Sequence, residues 1–302
     1  MSKLNVKGVT IVETFAEAFP MVGTRIIITA PTLDWALISA RTMTGFATSV
    51  IACGAEAGIE RTLTPDETLD ARPGVAVLLF TMDVNKLQTQ LRNRVGQCVL
   101  TSPGSACFAG LKGEKSLKLG SSLRFFGDGW QVSKKVGGQR FWRIPVMDGE
   151  FVCEEKTGLT KKAVGGGNLL VLGKSHAGVL AACERAVRAM DEVPEVITPF
   201  PGGIVRSGSK VGSKYKGQIA STNDAYCPTL KAAVKTELPL YVEAVMEIVI
   251  DGLTKESIAE AMRAGIHAVA EGGAEQGVTH ITAGNYGGNL GPHHFHLKEI
   301  IA

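Results

Sequence analysis

An α+β fold in two similarly built lobes is what this sequence predicts, and three observations predict it. β-type apolar runs alternate with amphipathic helical patterns, the second half repeats the plan of the first, and a turn-rich basic stretch lies between the halves. At ~100–200 residues per domain, 302 residues suffice for two cores. With 45% hydrophobic and 20% charged residues the composition is that of a folded chain, which excludes disorder. A net charge of +3 does not mark a dedicated nucleic-acid binder. Glycine is the departure, at 36 residues against an average near ~7%.

In the first half, residues 25–29 (Arg-Ile-Ile-Ile-Thr) read as a strand. Thr32 is placed to cap the helix that follows, and Asp34 sits in its first turn, where the helix dipole favours an anion. That helix carries Trp35, Ile38 and Met43 and stops near Gly45. Residues 49–53 are expected to be the next strand, 74–80 another, and about 83–95 a helix with Leu87, Leu91 and Val95 at four-residue spacing. In the second half, 169–172 is a strand and Ser175 a cap. Val179, Leu180, Cys183, Val187 and Met190 share a helical face, and 196–199 leads out of it. Residues 244–250 form a strand, Thr254 a cap, and Ile258, Ala261, Met262, Gly265, Ile266 and Val269 a second face, closed by a strand at 278–281. Strand–helix–strand twice per half is the split βαβ plan. Each half is therefore expected to be a ferredoxin-like lobe, residues 1–160 with an inserted hairpin region and residues 161–302.

The hairpin region is expected to hold strands at 117–126, 130–136 and 140–146, joined by turns at Gly127-Asp-Gly129 and Gly137-Gly138. It gathers Lys112, Lys115, Lys118, Arg124, Lys134, Lys135, Arg140 and Arg143, which form either a solvated charged ribbon or a surface for an anionic ligand tail. Residues 1–8 lack the apolar core of a signal peptide, and the longest strongly apolar run, 75–80, is far short of the ~20 residues that span a bilayer. The six cysteines show no Cys-x-x-Cys pair and read as buried free thiols, so a cytoplasmic protein is expected.

Two segments resemble phosphate loops and fail. Gly173-Lys174-Ser175 needs a glycine where Asn168 stands, and Gly203 to Gly208 is followed by Ser209-Lys210, the reverse of Lys-Ser. The stretch 198–212 still combines a stiff Pro-Phe-Pro, four glycines, Ser207, Ser209, Arg206 and Lys210. Such a loop either brings backbone N–H groups to an anionic ligand or satisfies only its own backbone. A second glycine loop, 283–291, offers Asn285, Tyr286 and Asn289 to a planar heterocycle. Glu247 stands among apolar residues in mid-strand, on the face of Val245 and Val249. It is either an acid/base whose pKa burial raises or one partner of a structural ion pair. His293, His294 and His296 lack recognisable zinc spacing, Cys98 and Cys107 read as small hydrophobes, and no Gly-x-Ser-x-Gly elbow occurs.

Seven segments carry a resemblance: Glu13-Thr-Phe-Ala-Glu-Ala-Phe-Pro20, Ala55-Glu-Ala-Gly-Ile-Glu60, Gly96-Gln-Cys-Val-Leu-Thr101, Phe125-Phe-Gly-Asp-Gly129, Arg143-Ile-Pro-Val-Met147, Val196-Ile-Thr-Pro-Phe-Pro-Gly-Gly-Ile-Val205 and Ala283-Gly-Asn-Tyr-Gly-Gly288. In this order, from about residue 8 to the C-terminus, the chain closely resembles the formylmethanofuran:tetrahydromethanopterin formyltransferase family. The resemblance implies two ferredoxin-like lobes related by a pseudo-twofold and a homotetramer built from dimers. It implies no metal and no prosthetic group; the tetrahydromethanopterin and methanofuran-type coenzymes are substrates, and a formyl group moves between the furan coenzyme's amine and N5 of the pterin. It implies Glu247 as acid/base and a cleft lined by Phe200, Pro201, Gly202, Gly203, Arg206, Ser207, Lys210, Asn285, Tyr286 and Gly287. The +3 charge departs from the acidic composition of archaeal members and suggests a bacterial, methylotroph-type member with hydrolase-like partner subunits. The competing readings are a non-catalytic pterin-binding or scaffolding subunit and, less favoured, a single-strand nucleic-acid binder on the basic hairpin.

Overall fold

The structure, a computed structural model, describes residues 4–113 and 115–302, so the first three residues of the stretch read for a leader lie outside the described residues. Two compact units form: Met21–Ala163, and the chain up to Pro20 together with Val164–Ala302. The fold is α+β, and each unit runs β-α-β-β-α-β.

In the Met21–Ala163 unit the sheet neighbours are, in order, Ala106–Ala109, the 22–29 portion of Phe15–Thr29, Gly74–Thr81 and Glu56–Leu63, all antiparallel. Helices Leu33–Thr44 and Val84–Arg94 pack on this sheet. Thr32 caps the first as expected, accepting from the Trp35 N–H at 3.3 Å. Its buried face, however, is Ala36, Ala40 and Met43, while Trp35 and Ile38 are exposed. Small residues on the inner face let the helix approach the sheet closely, and the larger side chains are left outside.

The strand expected at 49–53 is instead one helical turn, Val50–Cys53. The Ser49 side chain accepts from the Ile51 N–H, and Gly54 at φ 72 ends the turn in the left-handed region. The strand proper follows at Glu56–Leu63. The expected strand 117–126 is likewise short: Lys115–Lys118 pairs with the start of Lys156–Gly173, and then Gly120–Leu123 and Arg124–Gly127 are helical turns. A Cβ at Gly120 would lie 2.8 Å from the Glu154 carbonyl oxygen, so the first of these turns passes where only glycine fits. The Gly137-Gly138 turn forms as expected, at φ 57 and 83, between Val132–Val136 and Gln139–Val146.

The other unit repeats the order. Val278–Thr282, the 164–173 portion of Lys156–Gly173, Ala244–Gly252 and Val196–Ile197 are antiparallel neighbours. Ser175 and Thr254 cap the helices His176–Met190 and Lys255–Ala270, accepting from the Gly178 and Ser257 N–H groups. The two helices pack closely because position 265 is glycine; a Cβ there would be 2.0 Å from the Met190 methyl. The fully buried residues Val179, Cys183, Met190, Ile258, Met262 and Ile266 make this core, each such aliphatic side chain contributing about 1.5–3 kcal/mol by transfer from water.

In each unit one further strand extends the sheet in parallel: Gly149–Glu154 beside Ala106–Ala109, and Val9–Ile11 beside Val278–Thr282. Each belongs to an antiparallel hairpin, with Gln139–Val146 and Leu4–Val6 respectively. This pairing, together with His293–His296 on residues 15–18, is why residues 4–20 group with the C-terminal part rather than with residues 21–160. All six cysteines are free thiols; Cys107, Cys153 and Cys183 are buried, and the other three half-buried. Among the described residues no helix is long and apolar enough to cross a membrane.

Candidate active site

The Ala244–Gly252 strand alternates as the sequence requires. Ala244, Met246, Ile248 and Ile250 enter the core beneath the helices, and Val245, Glu247 and Val249 lie half-buried on the opposite face. Glu247 pairs with Leu170 on one side. On the other, Val205 donates its N–H to the Glu247 carbonyl at 2.7 Å, and Glu247 returns its N–H to Val205 at 2.9 Å. The 198–212 loop is thus tied to the sheet at the residue bearing the carboxyl. Among the described residues that carboxyl makes no ion pair or hydrogen bond. Burial pushes its pKa up to about 7, because the charged form loses water with nothing in exchange. A structural ion pair, the alternative open from sequence, is not formed among the described residues.

Ahead of Val205, Pro201–Gly203 forms a tight turn in which Gly203 donates to the Phe200 carbonyl at 2.8 Å. Gly203 has φ 77, and a Cβ there would lie 2.7 Å from Thr198 Oγ1 and from both Val187 methyls, so backbone conformation and space both require glycine. Phe200, Pro201, Gly202, Arg206 and Ser207 line a cavity of about 550 Å³ against His176. Met246 rather than Glu247 contributes to it, which places this cavity on the opposite face of the strand from the carboxyl. Arg206 is exposed and makes no ion pair among the described residues. Lys210 differs: its ammonium pairs with Asp224 at 2.6 Å.

The 283–291 loop reaches the same neighbourhood. Tyr286 Oη donates to the Ser209 carbonyl at 2.9 Å, joining the two glycine loops. Burial raises the Tyr286 pKa, and the nearby Glu247 and Glu17 carboxylates add to the shift. Asn285 is committed internally, donating to Thr14 Oγ1 at 3.0 Å and to the Phe15 carbonyl at 3.2 Å. Gly287 is exposed at φ 72. The base of the loop is held by Asn168, whose amide accepts from the Gly284 N–H at 2.6 Å and donates to the Gly284 carbonyl at 3.2 Å.

Sequence reasoning passed over Glu17. This carboxylate is only 2% exposed and accepts the backbone N–H groups of Tyr286 (2.7 Å), Gly288 (3.1 Å), Leu290 and Gly291 (2.8 Å). Burial alone would raise its pKa, but these N–H groups outweigh it and hold the carboxyl below its usual value. The signal was available: Glu17, like Glu247, is a lone carboxylate inside an apolar strand.

In the other unit the basic stretch is partly neutralised. Arg140 and Arg143 pair with Glu155 and Glu150, and Arg124 stacks over Phe125 and Trp142 at 4.7 and 4.5 Å. Among the described residues no group of three or more His, Cys, Asp and Glu side chains converges as metal ligands do.

Within one β-α-β-β-α-β unit, a half-buried strand carboxyl raised toward neutral pH stands beside two glycine loops, the kind of group that acid/base catalysis of group transfer uses. The family described as formylmethanofuran-tetrahydromethanopterin formyltransferase matches residues 4–146, and its proximal lobe matches residues 149–300. The chain is 63% identical over 297 residues to the formylmethanofuran–tetrahydromethanopterin formyltransferase of Methylococcus capsulatus, covering 98% of this chain and 99% of that protein. It resembles a chain in the structure of the formyltransferase/hydrolase complex from Methylorubrum extorquens in complex with methylofuran, with TM-score 0.98, 56% identity and coverage of 100% and 99%. It also resembles the Methanosarcina barkeri formyltransferase, with TM-score 0.93, 48% identity and coverage of 98% and 100%. The chain belongs to the formylmethanofuran–tetrahydromethanopterin formyltransferase family.

Proposed function

We propose that this chain transfers a formyl group between the amine of a methanofuran-type coenzyme and N5 of tetrahydromethanopterin, with Glu247 moving the proton. The attacking amine forms a C–N bond to the formyl carbon while the C=O electrons shift to oxygen. Glu247 as carboxylate takes the proton from the attacking nitrogen and returns it to the other nitrogen as the oxygen electrons re-form C=O and that C–N bond breaks, its pair leaving on the nitrogen. A group titrating near 7 serves both halves of this exchange, since it gives up and regains a proton at little cost near neutral pH. Holding two large substrates at reacting distance supplies much of the rate. Tyr286 and Gly287 stand on the Glu247 side, whereas Phe200, Pro201, Gly202, Arg206 and Ser207, with Gly203 shaping their turn, line the cavity on the other face of the strand and hold a more distant part of a coenzyme. Asn285 and Lys210 act through the loops they brace, against Thr14 and Asp224.

The observation that carries the reading is the carboxyl of Glu247, unpaired among the described residues and raised to about 7 beside both loops. The test is formyl exchange by the purified chain with both coenzymes, wild type against Glu247→Gln. Loss of about 10²–10⁴-fold in kcat, the usual contribution of a general acid/base, is expected. Unaltered activity in the variant would remove Glu247 from the mechanism. An inactive wild type that binds the pterin tightly would favour a scaffolding subunit.

We further propose a cytoplasmic homotetramer, a dimer of dimers, that associates with hydrolase-like subunits and runs from formyl-pterin toward formyl-furan. The relative found in a formyltransferase/hydrolase complex supports that association. Light scattering of the purified chain and co-purification of a hydrolase subunit test it.

A further inference from the structure

The 284–291 loop, with consecutive left-handed glycines at 287 and 288, reads as a cradle for a ligand's anionic group; the Gly287 N–H turns to Asn285 Oδ1 at 3.3 Å, and the Tyr286, Gly288, Leu290 and Gly291 N–H groups converge. That cradle already holds an anion, the side chain of Glu17. Both carboxylate oxygens are used, one by Tyr286 and Gly288, the other by Leu290 and Gly291. The N–H groups are therefore not available to a substrate, and Tyr286 is the loop side chain whose hydroxyl reaches across to the Ser209 carbonyl.

We infer that Glu17 is a positioning residue for formyl transfer: gripped by the loop's backbone, it sets the loop so that Tyr286 locks onto the Ser209 segment and walls the space beside Glu247. The inference rests on the proposed role of Glu247. Glu17 is about 270 residues from its donors in sequence, so the grip forms only in the folded unit, and it fixes a loop whose glycines would otherwise leave many conformations open. A neighbour supports the arrangement. Gly291 lies so close to Ala18 that a Cβ would be 2.1 Å from the Ala18 carbonyl oxygen, which leaves the loop end no room for a side chain between it and the Glu17 strand.

Glu17→Gln keeps the size of the side chain but turns one acceptor into a donor facing N–H groups. Three measurements test the inference: hydrogen exchange over residues 284–291, kcat for Glu17→Gln, Tyr286→Phe and the double variant, and Glu247→Gln in parallel. In Glu17→Gln, exchange over the loop should quicken at least tenfold, and kcat should fall about tenfold, the scale of a misplaced reacting group. Because Glu17 acts through Tyr286, the double variant should lose no more than Glu17→Gln alone. A folded Glu17→Gln with kcat within twofold of wild type, or losses that multiply in the double variant, overturns the inference. If Glu17→Gln does not fold, Tyr286→Phe decides: a loss of about tenfold in kcat supports the coupling and an unchanged kcat overturns it. Glu247→Gln separates the two ideas, since its retained activity defeats the acid/base reading, whereas its inactivity beside an unchanged Glu17→Gln defeats only the positioning role.

Discussion

The carboxyl of Glu247 should make the protein less stable as the solution becomes alkaline, and its removal should reverse that. Its pKa is raised from 4.5 to about 7 by burial, so the folded state binds the proton more tightly than the unfolded chain. Any stability this provides is fully present below about pH 4.5, is lost as pH rises toward 7, and leaves a constant deficit above that. A rise from 4.5 to about 7 corresponds to about 3 kcal/mol at ~1.4 kcal/mol per tenfold. Glu247 retains some solvent contact, so about 1–2 kcal/mol is the realistic expectation. Glu247→Gln, neutral at every pH, should therefore match wild type near pH 4.5 and exceed it by that amount at pH 8.5. Urea unfolding at the two pH values, read from the midpoint at constant slope, measures the difference. A variant whose advantage is the same at both pH values would show that Glu247 is not held desolvated and would remove the physical basis for its acid/base role.

Other perturbations follow from neighbouring features. Gly203→Ala should destabilise by about 2–4 kcal/mol, combining left-handed strain with overpacking against Val187 and Thr198. Gly202→Ala, with φ 60 but open space around its Cβ, should lose only about 1 kcal/mol; equal midpoints in urea would contradict this. Arg206→Ala should raise the KM of the coenzyme whose anionic tail it meets by about tenfold while kcat holds, with the effect shrinking in high salt, which steady-state kinetics at two ionic strengths would reveal. Thr254→Ala removes the cap of the Lys255–Ala270 helix and should lower stability by about 1 kcal/mol, seen as a lower melting temperature.

Features determined by neighbours in sequence were legible without the fold. Thr32, Ser175 and Thr254 cap helices because a hydroxyl three residues before an N–H needs no distant partner. Glu247 faces away from the helices because side chains alternate along any strand. What the tertiary structure decided were choices between local options of similar energy and contacts between distant segments. Residues 50–53 became a helical turn, since a short apolar run fits either state until its caps and packing choose. Residues 4–20 joined the C-terminal part through strand pairing that no periodicity reveals. Lys210, by sequence a candidate to hold an anionic ligand, found Asp224, and Glu17 found N–H groups some 270 residues away. A residue type states what a group can bond; only chain closure, which brings distant segments within hydrogen-bond reach, states what it does bond.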